Sequence, residues 1–101
     1  MPFHVKLISA AQDDFARLDK GLQAQAARQL LKLRDAPEAG ESLGNQAGFD
    51  LRGYRALHFA RNRWRIVYRV DAAAEIVWVI VIGPKARFEA YRLAAQSSRK
   101  G

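Results

Sequence analysis

Residues 64–71 read Trp-Arg-Ile-Val-Tyr-Arg-Val-Asp, so apolar and polar side chains alternate almost throughout. A period of two predicts a β-strand, because successive side chains of a strand point to opposite faces of its sheet. Trp64 and Tyr68 are interpreted as core residues on one face of this strand. Arg65 and Arg69 then lie together on the other face.

Two neighbouring stretches predict further strands. Residues 75–82 are apolar on both faces, which is typical of a central strand that is buried on both sides. Residues 51–59 alternate less cleanly, and Gly53 is the expected position of a β-bulge. Turns at residues 60–63 and 72–74 join the three strands into an antiparallel meander.

The first half of the chain predicts one strand and two helices. Residues 3–8 alternate as a strand does. Apolar residues then recur every three or four positions through a first helix, which Lys20 and Gly21 are expected to end. A second helix is predicted over residues 23–34, and residues 36–50, rich in Gly and Pro, are expected to form a loop.

These elements predict an α+β fold in the order β-α-α-β-β-β-α. The sheet is expected to be small, four-stranded and mostly antiparallel, with the N-terminal helical hairpin packed on one face and a short C-terminal helix after Pro84. We expect one domain over residues 1–101, with residues 96–101 as a flexible basic tail. The acidic residues of the helical region are interpreted as surface charges: Asp13, Asp14 and Asp19.

Positive charge is concentrated in the second half of the chain. Residues 51–101 contain 11 Lys or Arg against 3 Asp or Glu, residues 1–50 contain 6 against 7, and the net charge is +7. A basic face of this kind predicts a polyanionic partner. The chain has no cysteine and 2 histidines, which excludes disulfides and thiolate chemistry and argues against a zinc site. Since no apolar run could span a bilayer, we expect a cytoplasmic protein. We also expect that it needs no cofactor.

The predicted strand order brings basic residues from separate stretches to the sheet face opposite the helices. Guanidinium groups bind phosphate oxygens in pairs and stay charged at any working pH, and aromatic rings among them stack on unpaired bases. For any single arginine the alternative is a solvated surface charge, but the lack of opposing acids favours a joint role. The predicted members of this surface are Arg52, Arg55, Arg61, Arg63, Arg65, Arg69, Lys85, Arg87 and Tyr91.

Three segments together resemble the RelE/ParE superfamily of toxins from type II toxin–antitoxin systems. Leu-Arg-Gly-Tyr-Arg at residues 51–55 and Trp-Arg-Ile-Val-Tyr-Arg-Val at residues 64–70 are similar to the family's central L-x-G and Y-R-V-V-Y-x-V motifs. Val-Ile-Val-Ile-Gly-Pro-Lys-Ala-Arg at residues 79–87, followed by Tyr91, is similar to its closing motif. The resemblance spans nearly the whole chain and implies the same fold.

The RelE-like branch of this superfamily consists of endoribonucleases that cut messenger RNA in the ribosomal A site, so the resemblance implies a metal-independent nuclease. Arg65 matches the arginine that contacts the scissile phosphate. Lys85 matches the basic residue after the last strand, a role for which nearby Arg87 is a substitute. Tyr91 matches the tyrosine that orients the attacking hydroxyl or the base.

Two basic positions of the family fall on the strand at residues 51–59. Arg55 matches the first, and the second falls at Leu57 or His58, depending on a gap. Some relatives have histidine there, which makes His58 the natural candidate for the general base. Imidazole is also the side-chain type whose ordinary pKa suits proton transfer near neutrality.

Two other functions stay open at this point. The ParE-like branch inhibits DNA gyrase and lacks the nuclease residues, and a binding module without toxicity is a further alternative. The resemblance also implies a cognate antitoxin that covers the basic groove, and binding to operator DNA only through the toxin–antitoxin complex. The remaining expected partners are messenger RNA and the ribosome. We expect no association with a membrane.

Overall fold

The computed structural model describes residues 2–46 and 49–84 of the chain. The predicted C-terminal helix and the tail at residues 96–101 lie outside the described residues. The α+β class and the helical hairpin are confirmed. The elements of the described part are β1 (His4–Leu7), α1 (Ser9–Ala16), α2 (Lys20–Asp35), β2 (Glu41–Gln46), β3 (Phe49–Phe59), β4 (Trp64–Asp71) and β5 (Ile76–Pro84).

The described sheet has five strands in the order β1-β5-β4-β3-β2. β1 is parallel to β5, and the other three pairs are antiparallel. The prediction of four strands is therefore wrong, because β2 forms within the stretch predicted to be a loop. Leu43 is buried there, but β2 has little apolar periodicity. It is a strand because its backbone pairs with β3. The β-propensities of its own residues do not predict that pairing.

The predicted bulge at Gly53 is confirmed. The register between β2 and β3 shifts between Ser42 and Gly44, and Gly53 has a φ of 93°. A glycine fits this conformation without the steric penalty that a Cβ would bring.

The boundary between the two helices differs from the prediction. α1 ends at Ala16, and Lys20 begins α2. Asp19 is the N-cap of α2, because its Oδ1 accepts a hydrogen bond of 2.9 Å from the Leu22 backbone N–H. This bond satisfies one of the amide groups that a helix start leaves without a partner. Asp19 is an exposed charge, as interpreted, and the structure adds its role as a helix cap.

Both helices pack on one face of the sheet, as predicted. Their buried residues, among them Ala11 and Leu33, join Ile66 and Tyr68 of β4 in one hydrophobic core. Tyr68 is fully buried, which confirms its interpretation as a core residue. In the described ranges, neither helix has the length and apolar content that a membrane span requires.

The opposite side of the sheet, which we call the second face, has its own apolar cluster. Its buried members include Val67 of β4 and both Ile80 and Val81 of β5. Those two neighbours share a face because the register between β4 and β5 shifts between Val67 and Tyr68, as it does at a β-bulge. The basic residues of β4 therefore flank an apolar centre.

Asp14 of α1 connects the helical layer to the end of β5. The parallel pairing of β1 with β5 extends to Leu7 and Val79, so β1 supplies no partner farther along β5. The Asp14 Oδ2 atom accepts a hydrogen bond of 3.0 Å from the Ile82 backbone N–H. Asp14 is 8% exposed, so its interpretation as a helix surface charge is wrong.

Candidate functional site

His58 and Arg65 lie directly opposite each other on the second face. They are Cα partners in the antiparallel pairing of β3 with β4, a relation that places Cβ atoms about 4.5–5.5 Å apart. Both side chains are half-buried, and the His58 Nε2 atom is shielded from solvent. A guanidinium beside an imidazole combines a phosphate ligand with a group that transfers protons near neutral pH.

Gly83 of β5 lies on the other side of Arg65. A Cβ built on Gly83 would come no nearer than 4.0 Å to a described side chain, the closest atom being Val81 Cγ1. Among the described residues, therefore, none closely crowds this position next to Arg65. The sequence signal for this position is the Gly-Pro pair at the end of an apolar run, which predicts the change from the last strand to a C-terminal helix and lies within the segment that resembles the family's closing motif.

The turn between β3 and β4 carries two more predicted residues of the surface. Arg61 and Arg63 are exposed, and the turn begins two residues beyond His58 and ends two residues before Arg65. Three successive turn residues have positive φ: Ala60 at 53°, Arg61 at 58° and Asn62 at 69°. This left-handed path presents two guanidinium groups at the same end of the sheet as the His58–Arg65 pair.

Arg69 and Arg52 lie farther away. Arg69 shares the second face with Arg65 but is four residues along β4, or about 13 Å in an extended strand. Arg52 is exposed next to the bulge at Gly53, toward the other end of β3. The structure therefore separates the predicted basic surface into two regions.

Arg55 is not on the second face. It is the Cα partner of Tyr68, whose side chain belongs to the core on the helix side. The Arg55 Nη1 atom donates hydrogen bonds of 2.7 Å to the Gly40 carbonyl and 3.3 Å to the Glu38 carbonyl. Its side chain holds the segment that precedes β2, so the structure does not bring it to the predicted RNA surface.

Tyr68 completes this buried polar contact. Its phenol oxygen accepts a hydrogen bond of 2.8 Å from the Gly40 N–H. Burial raises the pKa of Tyr68 above its ordinary value, the Gly40 hydrogen bond and the Arg55 charge oppose that rise, and Glu38 adds to it. The phenol is therefore neutral at physiological pH. Alternation along β4 predicted that Tyr68 is buried, but it contains no signal for this partner.

The other predicted catalytic residues, Lys85, Arg87 and Tyr91, lie outside the described residues. Of the predicted catalytic set, the structure therefore describes and brings together His58 and Arg65. In residues 2–46 and 49–84, no group of three or more His, Asp or Glu side chains is arranged to hold a metal ion.

Comparison with known proteins identifies the family. The family model described as ParE toxin of type II toxin-antitoxin system, parDE, matches residues 5–88. A protein of Escherichia coli that is named as a RelE-like toxin is 29% identical over 102 residues, which cover 98% of this chain and 100% of that protein.

Solved structures share the fold. A mutant of the E. coli toxin RelE in the free state matches with a TM-score of 0.75 and 20% identity, over 96% of this chain and 98% of that one. The toxin–antitoxin complex RelBE2 from Mycobacterium tuberculosis matches with a TM-score of 0.72 and 20% identity, over 84% of this chain and 100% of that one. Because the family model covers most of the chain, this protein belongs to the ParE toxin family, within the RelE/ParE superfamily of type II toxin–antitoxin systems.

Proposed function

We propose that this protein is a toxin that cleaves messenger RNA as an endoribonuclease. The observation that carries the proposal is the pairing of His58 with Arg65 on the second face, beside a turn that exposes Arg61 and Arg63. An imidazole next to several guanidinium groups suits a phosphodiester better than it suits a neutral substrate.

The reaction begins with attack of the ribose 2′-oxygen on the adjacent phosphorus. The new 2′-oxygen–phosphorus bond forms as the bond to the 5′-oxygen breaks, which leaves a 2′,3′-cyclic phosphate and a 5′-hydroxyl. His58 accepts the proton of the 2′-hydroxyl, and Arg65 stabilises the negative charge that develops on the phosphate oxygens. A second donor gives a proton to the leaving 5′-oxygen.

The remaining roles are assigned by resemblance to the family. Lys85 and Arg87 bind the phosphate, and Tyr91 orients the attacking hydroxyl or the base. The message is positioned by the ribosome in the cytoplasm, so we expect weak cleavage of free RNA.

The test is expression of the toxin from a tightly controlled promoter, followed by mapping of message ends. We expect His58→Gln and Arg65→Ala each to lower cleavage by about 10²- to 10⁴-fold, as loss of a proton-transfer or charge-stabilising group does. The matched control is Arg28→Ala, which removes an exposed arginine of α2. Growth arrest with full cleavage in the double variant of His58 and Arg65 would rule out the proposed mechanism.

A second candidate function is inhibition of DNA gyrase. Two observations favour it: the family model that matches residues 5–88 is that of ParE toxins, and Arg55 is engaged by backbone carbonyls on the helix side. A supercoiling assay with purified gyrase separates the two functions. Inhibited supercoiling with intact messages would support the gyrase function, and unaffected supercoiling would remove it.

We also propose that a cognate antitoxin neutralises the protein and carries any binding to operator DNA. Support comes from related folds solved as toxin–antitoxin complexes, among them the archaeal RelE–RelB complex from Pyrococcus horikoshii. Co-expression with the protein encoded next to this one should restore growth and yield a complex on purification. Separate elution of the two proteins would contradict this assignment.

A further inference from the structure

A row of alternating cations and aromatic rings crosses the second face at the end away from His58. Lys6 of β1 is the Cα partner of Trp78 on β5, Trp78 is the partner of Arg69 on β4, and Arg69 is the partner of Tyr54 on β3. Directly paired residues share a face, so these side chains stand side by side across four strands. We call these four residues the cation–aromatic row.

Contacts and burial agree with this register. The Lys6 Nζ atom lies 5.9 Å from the centroid of the Trp78 ring, within the range of a cation–π contact. Lys6 is exposed, Trp78 and Arg69 are half-buried, and Tyr54 is 6% exposed. Trp78 therefore has a partly accessible ring with one cation on each neighbouring strand.

Trp64 provides an internal contrast. It lies on the helix side of the sheet, where its ring centroid is 6.4 Å from that of Phe59. Packing in the core explains the position of Trp64. Trp78 packs, partly buried, against the second apolar cluster, but its directly paired neighbours on that face are two cations, Lys6 and Arg69.

We propose that the cation–aromatic row is a second binding subsite for single-stranded RNA. A base stacks on Trp78, while Lys6 and Arg69 contact the phosphates on either side of it. This inference rests on the proposed function, since it adds a substrate contact to the same face. The alternation is the reason to prefer RNA over an acidic peptide, because a nucleotide chain also alternates flat rings with single negative charges.

The distance between the two regions of the second face fits this ligand. Arg65 and Arg69 are about 13 Å apart along β4. One RNA strand of a few nucleotides can therefore contact both the His58–Arg65 pair and the cation–aromatic row.

The test uses the fluorescence of Trp78 in the full chain. The Trp64→Phe substitution leaves Trp78 as the reporter, and His58→Gln with Arg65→Ala prevents cleavage by the proposed mechanism. We expect a single-stranded RNA of about 12 nucleotides to quench Trp78 as a base stacks on it. Inorganic polyphosphate should bind without that quenching. Equal quenching by both, or quenching by a poly-glutamate peptide and none by RNA, would overturn the inference.

Variants of the row give a second readout. In the His58→Gln and Arg65→Ala background, with binding measured by the fluorescence anisotropy of end-labelled RNA, Trp78→Ala should raise the Kd for RNA by about tenfold or more, and Trp78→Phe should retain most of the affinity. Lys6→Ala should reduce the slope of log Kd against log salt by about one, as loss of one phosphate contact does. Lys32→Ala, an exposed lysine of α2, is the control with the same change in charge and should leave the Kd and slope unchanged.

Failure of the proposed nuclease and failure of this subsite are distinguishable. If the wild-type protein cleaves no message but RNA quenches Trp78, the subsite stands and the nuclease does not. If cleavage depends on His58 and Arg65 while RNA leaves Trp78 fluorescence and the Trp78→Ala Kd unchanged, the subsite is refuted.

Discussion

At the scale of single residues, Gly40 is under the tightest constraint. A Cβ at this position would lie 2.8 Å from both the Ala56 carbonyl oxygen and the Tyr68 phenol oxygen. Neither atom moves easily, since one is backbone and the other is fully buried. The constraint comes from contact between parts of the chain far apart in sequence, so it was not visible in the composition of the Gly-rich loop.

The first prediction concerns this contact. Gly40→Ala should lower the free energy of unfolding by about 2 kcal/mol or more, because the added methyl overpacks a closed site. Urea denaturation measures the change. The control is Gly21→Ala in α2, where the new Cβ would be 3.5 Å from Asp19 Oδ1 and helix propensity should stabilise the protein by up to about 1 kcal/mol. Equal stability of the two variants would contradict the predicted clash.

The second prediction concerns pH. Burial raises the folded-state pKa of Tyr68 above the ordinary value of 10.0. The stabilisation from this shift is fully present below pH 10 and is lost as pH rises through the higher folded-state value. Tyr68→Phe should therefore flatten the decline of stability above pH 10, although it costs about 1–3 kcal/mol at neutral pH by leaving the Gly40 N–H without its partner. Parallel alkaline declines in both proteins would show that Tyr68 does not titrate in this way.

At the scale of elements, the Asp14 carboxylate accepts a backbone hydrogen bond at the part of β5 that β1 does not reach. β5 continues beyond the last residue that pairs with β1, and a carboxylate from α1 accepts the Ile82 N–H. The acidic residues of the helices could be seen in the sequence, but which of them points at the sheet depends on how α1 crosses β5. The bounds of β4, by contrast, could be predicted from the sequence, because the alternation of apolar and polar side chains is a local signal.

The third prediction follows from that contact. Asp14→Ala should lower the free energy of unfolding by about 1–3 kcal/mol, since it leaves a buried backbone N–H without an acceptor. Asp13→Ala removes an exposed acid of the same helix and should change stability by less than about 0.5 kcal/mol. Hydrogen exchange of the Ile82 amide should accelerate in the first variant only. Unchanged exchange there would mean that Asp14 does not protect this amide.

The turn between β4 and β5 gives the fourth prediction. Glu75 has a φ of 59°, in the left-handed region that costs a residue with a Cβ about 1–2 kcal/mol. Glu75→Gly should remove most of that cost and raise the thermal midpoint by roughly 4–8 °C per kcal/mol gained. Glu75→Ala is the control, because it removes the charge but keeps the Cβ. A similar rise in both variants would attribute the effect to charge.

At the scale of the whole molecule, sequence patterns predicted the layers and did not predict the number of strands. The periodicities of the helices and of β4 are local properties, so the α+β class and the buried face could be read from them. β2 depends on pairing with β3, and its residues have little signal of their own. The same distinction applies to the site: Arg65, Arg69 and His58 share a face because β4 and β3 pair in register, whereas Arg55 differs from Tyr54 by one position and therefore faces the helices.

The position of β1 next to β5 has a consequence for synthesis of the protein. His4 pairs with Ile76, so the parallel pair at that edge cannot form until nearly all of the described chain has left the ribosome. Long-range parallel pairing forms slowly, because the intervening chain must first be ordered. A nascent or prematurely terminated chain thus lacks the strand that carries Trp78 and Gly83. Such a chain contains neither the strand partner of Arg65 nor that of Arg69, so it holds neither region of the second face complete.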